Sequence, residues 1–301
     1  MKLLMTGGTG LIGRALINRL QHRYHITVIT RSPTKAYRLL GHDVHAIRSI
    51  DELPSLNDFA AVINLQGEPI ADKRWSAKQK QKLQQSRWQI TRRLAAMIAQ
   101  AEAPPDVFLS GSAIGYYGPQ QSDVKVTEAE HTTHYDFAHE LCAEWEQLAF
   151  AAENDHTRIC TLRTGVVLAP KGGALKKMLP AYKMGLGGPM GNGQQMMSWV
   201  HLDDEVGMIE TLLDNDQAQG AYNLTAPEPV SNQVFSETLA EVLGRPHLFK
   251  VPAFVLQLML GEMSSMLLEG QAVYPKRMQQ LGYRFRYPQL TEALQACINA
   301  R

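Results

Sequence analysis

Leu3-Leu4-Met5-Thr6-Gly7-Gly8-Thr9-Gly10-Leu11-Ile12-Gly13 decides the fold of this chain. A short apolar strand runs to Met5. Glycines stand at 7, 10 and 13, and apolar residues then recur at helical spacing through Leu11-Ile12, Ala15-Leu16 and Leu20. Gly7 permits a tight turn, Gly10 lets backbone approach a pyrophosphate, and Gly13 allows close packing of helix on strand. The first helical residues, Leu11 and Ile12, bring free N–H groups and the positive end of a helix dipole to an anion. A purely structural strand-to-helix turn is the plainer alternative. The strand before and the helix after are the context that a dinucleotide fingerprint requires.

Working outward, the second β-branched run, Ile26-Thr27-Val28-Ile29, bears on the cofactor. A site for NAD places an acid near the end of this strand, to bind the ribose 2′-hydroxyl. Here Thr30-Arg31-Ser32 follows, with no acid until Asp43. Arg31 offers a guanidinium fork to a 2′-phosphate and Ser32 a second donor, which reads as NADP(H). The other reading of Arg31 is a solvated residue at a strand end.

Further strands are expected at Ala60–Leu65, Val107–Ser110 and Ile159–Leu168. Helices are expected from Ser76 to Ala101, ended by Pro104-Pro105, and around Ala138–Ala152. This alternation predicts an α/β protein with a Rossmann-type doubly wound parallel sheet. We expect a dinucleotide-binding region over 1–170, a loop-rich substrate region with returning Rossmann elements over 171–248, and a small C-terminal α/β domain over 249–301. The middle region carries Gly172-Gly173, Gly185, Gly187-Gly188, Gly191 and Gly193, with Pro180 and Pro189, and reads as loop. Helices are expected at Asp203–Leu213, capped by Asp203, and at Ser231–Leu243. Met259, Met263 and Met266 mark a face that is core or interface, and an interface would allow a homodimer.

Composition narrows the function. Of 301 residues 45% are hydrophobic and 20% charged, and 30 Lys and Arg stand against 29 Asp and Glu. A net charge of +1 provides no general field for nucleic acid or anionic lipid. Three scattered cysteines suit a reducing cytosol. The opening apolar run is too short for a secretory leader, and no run reaches membrane-spanning length. A cytoplasmic protein is expected. The pairs His42/His45 and His131/His134 are weak grounds for a metal, and none is expected.

The G-x-x-G-x-x-G spacing resembles the short-chain dehydrogenase/reductases, in particular their extended and atypical epimerase-like members. Val62-Ile63-Asn64-Leu65-Gln66-Gly67-Glu68, Gly187-Gly188-Pro189-Met190-Gly191-Asn192-Gly193, Trp199-Val200-His201-Leu202-Asp203-Asp204 and Tyr222-Asn223-Leu224-Thr225-Ala226-Pro227 are similar to one uncharacterised NAD(P)-dependent epimerase-like branch. The tail, with Leu267-Leu268-Glu269-Gly270-Gln271 and Pro275, resembles that branch's C-terminal domain of unknown function. Some members are linked by name to cell or plastid division. The resemblance implies that Leu65 and Gln66 border the adenosine half of the cofactor. It also implies that Arg87 faces the cofactor and that Val166 lies near the nicotinamide.

In such enzymes a Ser or Thr after one strand works with a Tyr-x-x-x-Lys pair on the next helix. The lysine makes the phenol a usable acid or base near neutral pH. Ser112, in Ser110-Gly111-Ser112-Ala113-Ile114-Gly115-Tyr116-Tyr117-Gly118, matches the hydroxyl that polarises a substrate carbonyl. Tyr116 and Tyr117 lie near enough to carry a proton. The helix itself reads Tyr135-Asp136-Phe137-Ala138-His139-Glu140-Leu141-Cys142, and the lysine is absent. The resemblance therefore implies an NADPH-dependent oxidoreductase or epimerase acting on a small polar, possibly nucleotide-linked substrate, through Ser112 and Tyr116. The missing pair leaves open a protein that binds NADP(H) for regulation or as a scaffold.

Overall fold

The computed structural model describes residues 1–130 and 134–300. His131, of the pair His131/His134, lies outside them. The strands are β1 (Lys2–Thr6), β2 (His25–Ile29), β3 (His45–Ile47), β4 (Ala61–Asn64), β5 (Val107–Ala113), β6 (Lys125–Val126) and β7 (Arg158–Thr164). Then follow β8 (Val166–Ala169), β9 (Met196–Met197), β10 (Trp199–His201), β11 (Gly220–Leu224), β12 (Val230–Ser231) and β13 (Ala272–Val273). Seven form one parallel sheet in the order β3-β2-β1-β4-β5-β7-β11. The order reverses between β1 and β4, and in such sheets ligands bind beyond the strand ends at that reversal.

The helices that matter here are α1 (Leu11–Leu20), α2 (Pro33–Leu40), α3 (Ala77–Ala99), α4 (Phe137–Phe150), α5 (Gly173–Lys183), α6 (Leu202–Asp214), α7 (Asn232–Val242) and α8 (Ala253–Leu260). Helices α1 and α6 cover one face of the sheet through Leu16, Ile17, Leu20, Val206, Ile209 and Leu212. Helices α3 and α4 cover the other through Leu94, Ile98 and Ala149. The strands are buried on both faces, which is why they read as continuous apolar runs. A separate core around Trp199, Leu175, Phe235, Leu239 and Leu294 joins α5, β10, α7 and the C-terminal helix.

Four local expectations are corrected. The strand expected over Ile159–Leu168 is two, β7 in the large sheet and β8 paired with β10. They break at Gly165, where a Cβ would stand 2.6 Å from the Ser198 carbonyl oxygen. The glycine-rich stretch read as loop contains α5, which carries Pro180 near its end; a proline there removes a single helical hydrogen bond. Asp203 does not cap α6: His201 does, its Nδ1 accepting from Asp203 N at 3.1 Å. The methionine face is divided, with Met263 buried against Trp75, Leu83 and Phe137 and Met259 exposed.

Candidate functional site

Gly7 has φ +69°, a left-handed conformation that favours glycine, and a Cβ on it would stand 2.5 Å from the Leu65 carbonyl oxygen. A Cβ on Gly13 would be 2.4 Å from Gly7 O, so α1 lies directly on the turn. Gly10 differs, because a Cβ there would meet only Gly7 O at 3.1 Å. Its outer side is open. Gly10 caps α1 without a side chain, so the first-turn N–H groups at Leu11 and Ile12 have no helical acceptor. An open glycine before an uncapped helix is a cradle that fits a pyrophosphate.

The surroundings of the turn are fixed from below. Thr6 Oγ1 donates to Asn64 Oδ1 (2.6 Å) and accepts from Gln66 N (3.1 Å). Asn64 Nδ2 donates to Thr91 Oγ1 (2.7 Å), which also accepts from Trp145 Nε1 (2.9 Å). Leu65 and Gln66 are thereby held half-buried beside Gly7, just beyond β4. Arg31 is exposed past the end of β2. Ser32 caps α2, its Oγ accepting from Lys35 N at 3.4 Å. Arg87, on α3, donates to the carbonyls of Leu83 (3.1 Å) and Glu68 (3.1 Å), and its guanidinium lies 5.2 Å from the Trp145 ring. Among the described residues it makes no ion pair, and burial pulls its pKa below the ordinary arginine value. A half-buried cation without a carboxylate partner can receive an anion. Val166 opens β8, its N–H bonded to Ser198 O at 2.8 Å, half-buried on the substrate side.

The reacting end is arranged otherwise. Tyr135 precedes α4 and is 82% exposed, with Asp136 capping the helix. Tyr135 therefore lies outside the helix, although its ring meets His139 edge-on with centroids 5.0 Å apart. Three residues of α4 meet the segment after β5: Ala138 and Cys142, 3.2 and 3.6 Å from where a Cβ on Gly115 would lie, and His139, bonded to the Tyr116 carbonyl. Four residues beyond Cys142, Glu146 points in under the site. The Ser112 hydroxyl donates its proton to Glu146 Oε1 at 2.6 Å. With that proton committed, Ser112 presents an accepting oxygen rather than a donor to any ligand.

Arg163 completes the arrangement. Ser112, Arg163 and Asn223 occupy one register row across β5, β7 and β11. Arg163 Nε and Nη2 each donate at 2.8 Å to the two oxygens of Glu146, and Nη1 donates to Tyr117 Oη at 2.9 Å. Tyr117 Oη donates onward to Asn223 Oδ1 (2.7 Å), and Asn223 Nδ2 to the Tyr274 carbonyl (2.9 Å). Burial works against the Arg163 charge, but the hydrogen bonds and Coulombic pull of Glu146 outweigh it and hold the guanidinium above its ordinary pKa. Burial pushes the Tyr117 phenol up to about 12. Tyr116 is half-buried, its ring centroid 3.5 Å from Arg163 Cζ and its carbonyl accepting from His139 Nδ1 at 2.6 Å. Its hydroxyl bonds to no described residue.

The sequence reading missed Glu146, Arg163 and Asn223. A charge inside the apolar run Ile159-Cys160-Thr161-Leu162-Arg163 was the available signal. Among the described residues no three His, Cys, Asp or Glu side chains form a metal cluster, and no helix is long and apolar enough to cross a membrane.

Sheet order, open glycine turn and the hydroxyls beyond β5 define a nucleotide-binding Rossmann protein of the dehydrogenase and epimerase type. Residues 3–225 match the NAD dependent epimerase/dehydratase family model, and 251–297 match a domain of unknown function, DUF1731. The chain belongs to that epimerase/dehydratase family. It is 40% identical to a chloroplastic SDR39U1 homolog of Arabidopsis thaliana, covering 98% of this chain and 86% of that protein. It is 37% identical to an epimerase family protein of Staphylococcus haemolyticus, covering 99% of each. The crystal structure of the human epimerase family protein SDR39U1 (isoform 2) with NADPH superposes with a TM-score of 0.90 at 34% identity, covering 99% of both chains.

Proposed function

We propose that this protein binds NADPH and uses it as an oxidoreductase or epimerase on a small polar substrate. The observation that carries the cofactor reading is the open side of Gly10 before an uncapped α1. Gly7, Gly10, Leu11, Ile12 and Gly13 surround the pyrophosphate, and Arg31 and Ser32 meet the 2′-phosphate. Leu65 and Gln66 border the adenosine half, Arg87 meets an anionic part of the cofactor, and Val166 lies by the nicotinamide. The similarity to a human protein crystallised with NADPH supports this choice of cofactor. At the reacting end Tyr116 carries the proton, and Ser112 orients a substrate hydroxyl as acceptor. The three buried, unbridged cysteines fit a cytosolic setting. A homodimer is the assembly we expect, readable by sedimentation.

Isothermal titration of NADPH and NADH tests the cofactor reading. Wild type should prefer NADPH. Arg31→Ala should weaken NADPH by about tenfold to a hundredfold, as for loss of a charge-assisted contact of roughly 1.5–3 kcal/mol, and leave NADH unchanged. Equal affinities in the wild type would refute the assignment. One observation favours a second reading, an NADPH-binding regulator: the stretch Tyr135–Cys142 holds no Tyr-x-x-x-Lys pair. Oxidation of bound NADPH by a cell-metabolite mixture separates the two.

A further inference from the structure

The three hydroxyls at and just beyond the end of β5 have different fates. Ser112 donates to Glu146, and Tyr117 is held between Arg163 and Asn223, while Tyr116 keeps a bare hydroxyl. Yet Tyr116 is not loosely held. Its ring lies on the Arg163 guanidinium, its edge meets Tyr117 with centroids 5.5 Å apart, and its carbonyl is tied to His139. A ring fixed on three sides with an unpartnered tip is built to present that tip. The guanidinium beneath cannot turn, because Glu146 holds it by two parallel hydrogen bonds and Tyr117 by a third, inside a strand paired on both edges.

We propose that Arg163, clamped by Glu146, is the positioning residue for Tyr116: the ion pair on β7 and α4 supplies the fixed cation that orients the proton-carrying phenol, in place of a lysine on α4. This rests on the oxidoreductase reading above. In the reductive direction the bound reduced dinucleotide supplies a hydride to the carbonyl carbon of the substrate. The carbonyl π pair moves to oxygen, and Tyr116 gives that oxygen its phenolic proton. An alcohol results, and the phenolate regains a proton from water. Arg163 touches neither substrate nor cofactor in this step.

The probe is 9,10-phenanthrenequinone with NADPH, followed in single turnovers on the full chain. Tyr116→Phe should slow the reaction about a hundredfold or more, the scale of a lost general acid. Arg163→Lys keeps charge but loses the planar fork. It should slow the reaction at least about tenfold, with NADPH affinity within about threefold of wild type. The distinguishing readout is the isotope effect. Misplacing the proton donor raises the solvent deuterium effect and leaves the effect of deuterated NADPH unchanged, whereas general loosening raises the latter. In the cofactor-free protein, the Tyr116 resonance in ζ-13C-tyrosine spectra should be sharp in wild type and broadened in Arg163→Lys. Glu146→Asp, which retracts the clamp without unpairing the charges, should behave the same way and serves if Arg163→Lys fails to fold. Wild-type rates in both clamp variants, or a slowing without a larger solvent effect, overturn the proposal. NADPH binding without turnover in wild type, or full activity in Tyr116→Phe, overturns the chemistry it rests on.

Discussion

At the α1 end of the crevice Gly10 leaves helix N–H groups bare, and on α3 the half-buried Arg87 makes no ion pair among the described residues. At the α4 end Ser112, Glu146, Arg163, Tyr117 and Asn223 satisfy one another, and Tyr116 alone of the three hydroxyls stays open. One end is incomplete without a ligand and the other is nearly complete by itself. Buried polar groups without partners are costly, so the α1 end gains most from binding. A network already satisfied is held rigid, so the α4 end gains order from its own contacts. Affinity and chemistry should therefore respond to different mutations.

The largest effect should come from Gly10→Val, which puts a side chain where the pyrophosphate lies. NADPH binding should fall below detection by fluorescence titration, with the melting temperature within about 2 °C of wild type, since the space outside Gly10 is open. Its counterpart, Gly13→Val, meets Gly7 O and should cost about 3 kcal/mol of stability instead. Equal melting losses in both would end the distinction.

Next comes Glu146→Gln, which leaves the Arg163 charge buried with half its acceptors. Loss of one partner in such a pair costs about 3–5 kcal/mol, and the retained amide oxygen places this variant near the lower figure by urea denaturation. NADPH affinity should stay within about threefold. A tenfold loss of affinity would show that the two ends are energetically one site.

A pH-dependent effect belongs to Glu205, buried behind the end of β7 with Oε1 accepting from Thr164 Oγ1 (2.8 Å) and Oε2 without a partner among the described residues. Burial pushes its pKa up to about 8. The folded protein then holds a proton that the unfolded chain releases near the ordinary carboxylate value. The associated stability is complete at low pH and is lost as pH rises from about 4.5 towards 8, by at most about 1.4 kcal/mol per unit. Glu205→Gln should flatten the melting curve over that window, and an unchanged pH dependence would mean that the carboxyl is ionised when buried. The smallest effect should be Ser112→Ala, about 1 kcal/mol in stability with NADPH affinity unchanged.

The glycine turn and the parallel sheet were legible because glycine spacing and apolar runs report backbone needs directly. The reacting end was harder to read. Ser112 and Tyr116 were found by their local motif, but a serine's proton has a direction that only its neighbour decides, and Glu146 is 34 residues away in the chain. The helix was read from Tyr135, yet Asp136 caps α4 and leaves Tyr135 outside it. The same limit hid β8, because Val166–Ala169 continues the apolar pattern of β7 and only the crowding at Gly165 shows that it changes sheets.

That change of sheet bears on how such proteins can be recombined. Strand β7 belongs to the cofactor side and β8, one residue later, pairs with β10 on the substrate side. A chimera cut at Pro170, where composition changes, would pair β8 of one parent with β10 of the other. A cut at Gly165 would keep β8 and β10 from one parent. The first residues after that cut also adjoin Arg163, so a foreign segment would be grafted immediately beside the polar row that the host must keep.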